Sequence, residues 1–118
     1  MPGLLLLLLA WPAPQAAPDA GERAFQRCAA CHTLRDDDGR SPGPSLRGVV
    51  GRRAASVESF TYSDAMREAG RRGVVWDEAT LARFLADPES VAPGTTMPYQ
   101  GGSAAERATL IAWLSRRR

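Results

Sequence analysis

Apolar residues recur at helical spacing in four segments of the chain, and a residue that commonly caps helices precedes each segment. Asp19 and Ser103 are each followed three residues later by glutamate, which is the spacing of a capping box. Ser63 and Asp77 can cap the other two segments. The pattern therefore predicts four short helices.

The ends of these helices are less sharply marked than their beginnings. The first is predicted to reach Cys28, the second to end at Ala69 before Gly70, and the third to stop before Pro88. Residues 33–59 and 92–102, which are rich in glycine, proline and serine, are predicted to be irregular. Strand signals are limited to short valine pairs, so the predicted fold class is all-α.

The first 17 residues differ in composition from the rest of the chain. An unbroken leucine run, Leu4 to Leu9, precedes a segment of alanine and proline, which is typical of a secretory signal peptide. The run is far below the ~20 residues that span a bilayer, and an uncleaved N-terminal anchor is the alternative. We predict a signal peptide at residues 1–17 and one domain at residues 18–118. The mature protein is then periplasmic or secreted, with no integral membrane span.

The predicted domain is poor in large apolar residues. Leu, Ile, Val and Phe supply sixteen of its 101 residues, a fraction that normally argues against a self-sufficient core. A large, flat, apolar prosthetic group such as a porphyrin would fill the middle of such a protein. The fifteen arginines, thirteen carboxylates and absence of lysine give a net charge of +2 without a basic stripe beyond the C-terminal arginines. Nucleic-acid binding is therefore disfavoured.

The segment Cys28-Ala29-Ala30-Cys31-His32 is the attachment pattern of c-type haem. Two cysteines at this spacing can form thioethers to the two vinyl groups of one porphyrin, and the adjacent His32 can ligate its iron. A zinc site would need about four ligands, whereas the whole chain contains two cysteines and one histidine. A thioredoxin-like dithiol would need a βαβ context, which is missing. The motif predicts one covalent haem c per chain.

The sixth iron ligand decides between a carrier and an iron site open to ligands. With His32 used, the candidates are Met66, Met97 or none. Met66 falls in a predicted helix, where methionine is usually core packing, whereas Met97 lies in an irregular segment that can fold over the haem. We predict Met97. Thioether ligation raises the potential and closes the iron to exogenous ligands.

The order and spacing of these and further motifs resemble class I cytochromes c of the mitochondrial type, including related bacterial periplasmic carriers. The resemblance covers nearly all of the chain after the leader and rests on Cys28-x-x-Cys31-His32-Thr33, Gly43-Pro44-Ser45-Leu46-x-Gly48-x-x-Gly51-Arg52, Phe60-x-Tyr62-Ser63-Asp64-Ala65, Trp76, Thr80-Leu81-x-x-Phe84-Leu85-x-x-Pro88, Pro93-Gly94-Thr95-x-Met97 and Glu106-Arg107-Ala108-x-Leu110-Ile111-Ala112-Trp113-Leu114. It implies the cytochrome c fold, in which short helices surround one covalently bound haem and the terminal helices cross near Gly21, Phe25 and Trp113.

The resemblance also implies contacts around the haem. The Pro44 carbonyl would accept the free N–H of His32, which would orient the ring and strengthen it as a ligand. Four further positions match those that hold the haem propionates: Arg52, Tyr62, Trp76 and Thr95. Buried carboxylates need such donors.

Four departures from the family pattern stand out, one of which is a three-residue insertion around Arg71-Arg72-Gly73, before Trp76. Phe84 replaces a tyrosine whose hydroxyl usually reaches the methionine sulfur. The run Asp36-Asp37-Asp38 is interpreted as a solvated loop. Lysines are absent around the expected haem edge, where Arg27 alone keeps a positive charge, so electrostatic steering toward partners is predicted to be weaker than in the lysine-rich members of the family, or differently directed.

The function predicted from these features is that of a soluble single-haem electron carrier without enzymatic activity, which acts as a monomer. Its expected partners are redox proteins: a quinol-oxidising complex, an oxidase, a reductase or a dehydrogenase. The alternative is a dedicated electron-acceptor subunit of one periplasmic oxidoreductase.

Overall fold

The computed structural model describes residues 10–13, 19–98 and 101–118. Most of the predicted leader lies outside the described residues, so the signal peptide at 1–17 and the domain boundary stay predictions. Within these residues there are five helices: α1 Ala20–Phe25, α2 Asp64–Arg71, α3 Glu78–Ala86, α4 Pro88–Val91 and α5 Ala104–Ser115.

All four predicted helix caps are confirmed. The side chains of Asp19, Ser63, Asp77 and Ser103 each accept a hydrogen bond from the backbone N–H three residues later. Each cap satisfies one of the N–H groups that a helix start leaves without an intrahelical partner. The polar residues that mark the starts of these helices in the sequence are therefore the ones that begin them.

Helix ends agree less well with the predictions. Helix α1 ends at Phe25, three residues before Cys28, and the short helix α4 was missed. Helix α2 continues through Gly70 to Arg71. Gly70 is buried against residue 54, where an added Cβ would lie 2.5 Å from the Ala54 carbonyl oxygen. This glycine therefore serves close packing and does not end the helix.

Helices α1 and α5 pack against each other. The rings of Phe25 and Trp113 stack with centroids 5.3 Å apart, and both side chains are buried. Any side chain at Gly21 would overlap the Trp113 side chain, so only glycine permits this close approach. The predicted crossing of the terminal helices is confirmed.

The described residues contain no β-strand, only an isolated bridge between Arg53 and Val75, and the all-α prediction is confirmed. Residues 33–59 are irregular, as predicted. No helix in the described residues is long and apolar enough to cross a membrane. The irregular segment and the helices surround an apolar cavity.

Candidate haem site

A cavity of about 440 Å³ opens between residues 28–63, which include the irregular segment, and helices α3 and α5. All nine site residues predicted from the sequence line it: Cys28, Cys31, His32, Pro44, Arg52, Tyr62, Trp76, Thr95 and Met97. Much of the remaining wall is aliphatic or aromatic, including Leu81 and Leu110. One apolar cavity thus collects side chains spread over seventy residues of sequence.

Cys28 and Cys31 lie in the turn that follows α1. The turn is closed by hydrogen bonds from the Cys28 N–H to the Phe25 carbonyl, 2.8 Å, and from the His32 N–H to the Cys28 carbonyl, 2.9 Å. Both cysteines are free thiols. Burial, followed by the proximity of Cys31, raises the pKa of the Cys28 thiol to about 11. A thiol with a raised pKa is a poor thiolate nucleophile or metal ligand.

The His32 ring is held by its neighbours in one orientation. Its Nδ1 lies 2.7 Å from the Pro44 carbonyl oxygen, and because a carbonyl can only accept, Nδ1 carries the proton. A Cβ on Gly43 would lie 2.5 Å from the ring's Cε1, so the glycine lets the backbone pass close behind the ring. Burial lowers the pKa of His32, although the bond to Pro44 opposes this effect. The neutral ring therefore keeps an unprotonated Nε2, which is the state that ligates a metal.

Arg52 spans the loop that follows Pro44. Its Nη2 donates to the Ser45 carbonyl, 2.9 Å, and its Nη1 to the Arg47 carbonyl, 3.1 Å. The Nε–H is buried without a hydrogen-bond partner among the described residues. Burial lowers the pKa of the guanidinium. A buried donor without an acceptor at a cavity wall indicates a missing anionic or polar ligand group.

Tyr62 lines the same cavity. Its hydroxyl accepts a hydrogen bond from the Val57 N–H, 3.1 Å, which leaves the O–H proton free to donate. Burial raises the pKa of this phenol. Phe60, which the sequence interpretation did not assign to the site, packs edge-on against Tyr62 at 4.8 Å and also lines the cavity. Its only sequence signal is its place in the Phe60-x-Tyr62 motif.

The Met97 segment reaches the cavity from the other end of the chain. Its described hydrogen bonds are local: the Met97 N–H lies 3.5 Å from Thr95 Oγ1, and the Thr95 N–H donates to the Ala92 carbonyl at 3.0 Å. Met66 lines the cavity as well, so the structure brings both candidate methionines to it. The prediction of Met97 over Met66 stays a prediction.

Trp76 and Phe84 form an aromatic wall, with ring centroids 4.9 Å apart and less than a tenth of each residue exposed. Phe84 lines this cavity with a phenyl ring that lacks the hydroxyl of a tyrosine. The departure noted in the sequence therefore concerns a residue of the site itself.

The interpretation of Asp36-Asp37-Asp38 as solvated is wrong for its middle member. Asp36 and Asp38 are exposed, whereas Asp37 is half-buried. The Asp37 carboxylate accepts hydrogen bonds from the N–H groups of Gly39 and Ser45, both at 2.8 Å. Only the folded loop brings these donors to Asp37, so composition could not single it out.

A second depression, of about 590 Å³, lies on the surface beside residues 33–41 and Arg47. Charged side chains make up much of its wall, including those of Arg35, Asp36 and Arg40. Apolar groups gain nothing from such a surface. The apolar cavity is the one that fits a porphyrin, because it combines a large apolar wall, the unprotonated Nε2 of His32 and the unpartnered Nε–H of Arg52.

Comparisons with known proteins agree with this assignment. The cytochrome c family model matches residues 18–117 of the chain. The chain is similar to cytochrome c2 of Rhodoblastus acidophilus, with 41% identity over 83% of the chain and 90% of the relative. It is also similar to cytochrome c of Gibberella zeae, with 42% identity over 75% of the chain and 81% of the relative. Among solved structures, cytochrome cH from Methylobacterium extorquens superposes with a TM-score of 0.73 and 37% identity, covering 83% of this chain and 96% of that one.

Proposed function

The chain belongs to the cytochrome c family, and from this premise we propose that Cys28 and Cys31 attach its haem while His32 and Met97 ligate the iron. The cofactor is a covalently bound haem c, and the protein is a single-haem electron carrier, not an enzyme. The observation that most supports the residue assignment is that all four side chains line one apolar cavity.

The chain's own residues have separate tasks in this proposal. The Nδ1–H of His32 donates to the Pro44 carbonyl, and this hydrogen bond fixes the direction in which Nε2 points. Met97 would supply the second protein ligand of the iron, which would keep oxygen, peroxide and water from binding the metal. When bound, the haem would supply one-electron redox chemistry. The apolar wall lowers the local dielectric, which limits the solvent reorganisation that accompanies each change of charge.

Arg52, Tyr62, Trp76 and Thr95 are proposed to hold the haem propionates. The buried Nε–H of Arg52 has no partner among the described residues, and the Tyr62 hydroxyl, which accepts from Val57, retains a proton to donate. A carboxylate placed between them would satisfy both donors.

The protein exchanges electrons with redox partners, and we propose that these are a quinol-oxidising complex on one side and an oxidase, reductase or dehydrogenase on the other. The leucine-rich leader supports a periplasmic location. We further propose that the mature protein is a monomer.

A dedicated electron-acceptor subunit of one oxidoreductase is the second candidate. It is favoured by the pairing of Arg27, which lines the cavity, with Glu106 at 3.5 Å, because this ion pair offsets the positive charge of the arginine. Around the expected haem edge only Arg27 keeps the positive charge that the family's lysines supply, so electrostatic steering of diffusional encounters would be weaker or differently directed. Co-purification with one enzyme after mild lysis would favour this candidate.

A redox-titrated absorption spectrum tests the proposed function. The full chain is expressed in a host that exports proteins and attaches c-type haem, and the periplasmic product is purified. We expect low-spin c-type bands, an iron–methionine charge-transfer band in the ferric state and a single one-electron transition. A colourless product would overturn the proposal, and a five-coordinate high-spin spectrum would remove the carrier role. A Cys28→Ala, Cys31→Ala double variant, which cannot form thioethers, is the matched control.

A further inference from the structure

One peptide group behind His32 is hydrogen-bonded at both of its ends. The C=O of Pro44 accepts from His32 Nδ1 at 2.7 Å. The N–H of Ser45, which belongs to the same peptide unit, donates to Asp37 Oδ2 at 2.8 Å. Carboxylate, peptide and imidazole therefore form one continuous chain of hydrogen bonds.

Asp37 is held in place at several points. Its other carboxylate oxygen, Oδ1, accepts from the Gly39 N–H at 2.8 Å, and its backbone carbonyl accepts from Ser59 Oγ at 2.9 Å. Ser45 is only 4% exposed and Asp37 is half-buried, so the carboxylate–amide bond is partly shielded from water. A hydrogen bond in such surroundings is electrostatically stronger than one in solvent.

We propose that Asp37 is a positioning residue for the iron ligand, acting on His32 through the Pro44–Ser45 peptide. This proposal rests on the proposed function, in which His32 ligates the haem iron. The ionised carboxylate pulls on the Ser45 proton and polarises the peptide, so that the Pro44 oxygen becomes more negative. A more negative oxygen draws the Nδ1 proton harder and makes Nε2 a stronger donor. A stronger donor favours ferric iron, so Asp37 lowers the reduction potential.

The two neighbouring aspartates supply matched controls. The Asp36 side chain is 95% exposed and pairs with Arg47 at 3.1 Å, and Asp38 Oδ1 accepts from the Arg40 N–H at 3.0 Å. Both carry the same charge as Asp37 on the same loop. Neither has a described bond to the Pro44–Ser45 peptide. A comparison of Asp37→Asn with Asp36→Asn therefore separates the hydrogen-bond chain from a simple loss of one negative charge.

The experiment uses the haem-loaded wild type, Asp37→Asn and Asp36→Asn, each with ¹⁵N-labelled histidine. We expect Asp37→Asn to raise the reduction potential more than Asp36→Asn does, and to move the His32 Nδ1–H resonance of the ferrous protein upfield, as a weakened hydrogen bond does. The excess potential shift should persist at about 1 M salt, where the Debye length of ~3 Å screens exposed charges. Equal potential shifts, or an unmoved Nδ1–H resonance in Asp37→Asn, would overturn the proposal.

A measurement on the wild type covers the case in which Asp37→Asn yields no holoprotein. In the diamagnetic ferrous state, scalar coupling across the hydrogen bond should be detectable between the Ser45 nitrogen and the Asp37 carboxylate carbon. Its absence would refute the proposal. A wild-type spectrum without histidine-ligated haem would instead refute the proposed function, so the two failures are distinguishable.

Discussion

The two segments that supply the proposed iron ligands are held in very different ways. The loop next to His32 is tied to remote parts of the chain: the Gly48 N–H donates to the Arg117 carbonyl at 2.7 Å, and Arg47 Nε donates to the Arg118 carbonyl at 3.1 Å. The hydrogen bonds described for residues 93–98 reach at most five residues, as from the Gly94 N–H to Glu89 Oε2 at 2.9 Å.

This difference indicates which side of the haem yields first. Contacts between remote segments break only when much of the fold opens, whereas a segment held by local bonds can open by itself at low free-energy cost. The loop next to His32 should therefore stay closed in the folded protein, so that the environment of His32 and its effect on the reduction potential stay constant. The methionine side should govern ligand loss. The following predictions test this division, from the largest expected effect to the smallest.

Replacement of Met97 by alanine should open the iron to exogenous ligands. If the sixth position is open in ~1% of wild-type molecules, its permanent opening raises the apparent affinity of the ferrous protein for carbon monoxide about 100-fold. Carbon monoxide titration of the ferrous absorption spectrum measures this change. Met66→Ala removes the other cavity methionine and should leave the affinity near that of the wild type. The opposite result would assign the sixth ligand to Met66.

Alanine at Gly43 and at Gly94 should have unequal consequences. The new Cβ at position 43 would lie 2.5 Å from His32 Cε1, so we expect a loss of about 2–3 kcal/mol in unfolding free energy from overpacking and a perturbed haem spectrum. At position 94 the Cβ has room, 3.7 Å from the Ala65 Cβ, and the cost comes from the positive φ of 87°. That cost is about 1–2 kcal/mol. Denaturant unfolding compares the two variants. Equal losses with unchanged spectra would contradict the tight packing behind His32.

Substitution of Arg52 by leucine should lower both stability and potential. The Ser45 and Arg47 carbonyls lose their donor, which costs about 1–2 kcal/mol. Loss of a positive charge at the cavity wall disfavours the added electron, so the potential falls. Arg53→Leu removes the same charge from an exposed neighbour and should change both quantities less. Redox titration and thermal unfolding measure these effects, and an unchanged potential in Arg52→Leu would count against its role at the propionates.

Tyrosine at position 84 should produce the smallest change. Phe84 is 5% exposed, so the added hydroxyl must find a partner in the cavity, and stability should change by less than about 1 kcal/mol if it reaches the Met97 sulfur. Such a bond withdraws electron density from the sulfur. The potential should therefore rise, and the ferric protein should lose its methionine ligand at lower pH. Redox and alkaline spectroscopic titrations check this, and unchanged values in both would show that the hydroxyl does not meet the sulfur.

Helix starts were predictable because a cap is a local event: Ser103 and Asp19 bond an N–H only three residues away. Helix ends were not predictable from the sequence, since whether α2 continues through Gly70 depends on how closely this glycine packs against Ala54. All nine predicted site residues line one cavity. The sequence motifs that contain these residues are short and occur in the order typical of the family. The family resemblance predicted contacts, such as that of Pro44 with His32, that residue spacing alone does not predict.

By itself, the sequence determined the chemistry of this protein, because two cysteines and a histidine at that spacing leave few uses other than covalent haem, and a core with so few large apolar residues needs a prosthetic group. Only the tertiary structure decided which polar groups support the histidine. Nothing in the run Asp36-Asp37-Asp38 distinguishes its members. Only the folded loop turns the middle carboxylate onto the peptide that holds His32, because hydrogen bonds between irregular segments depend on where the whole chain brings them together.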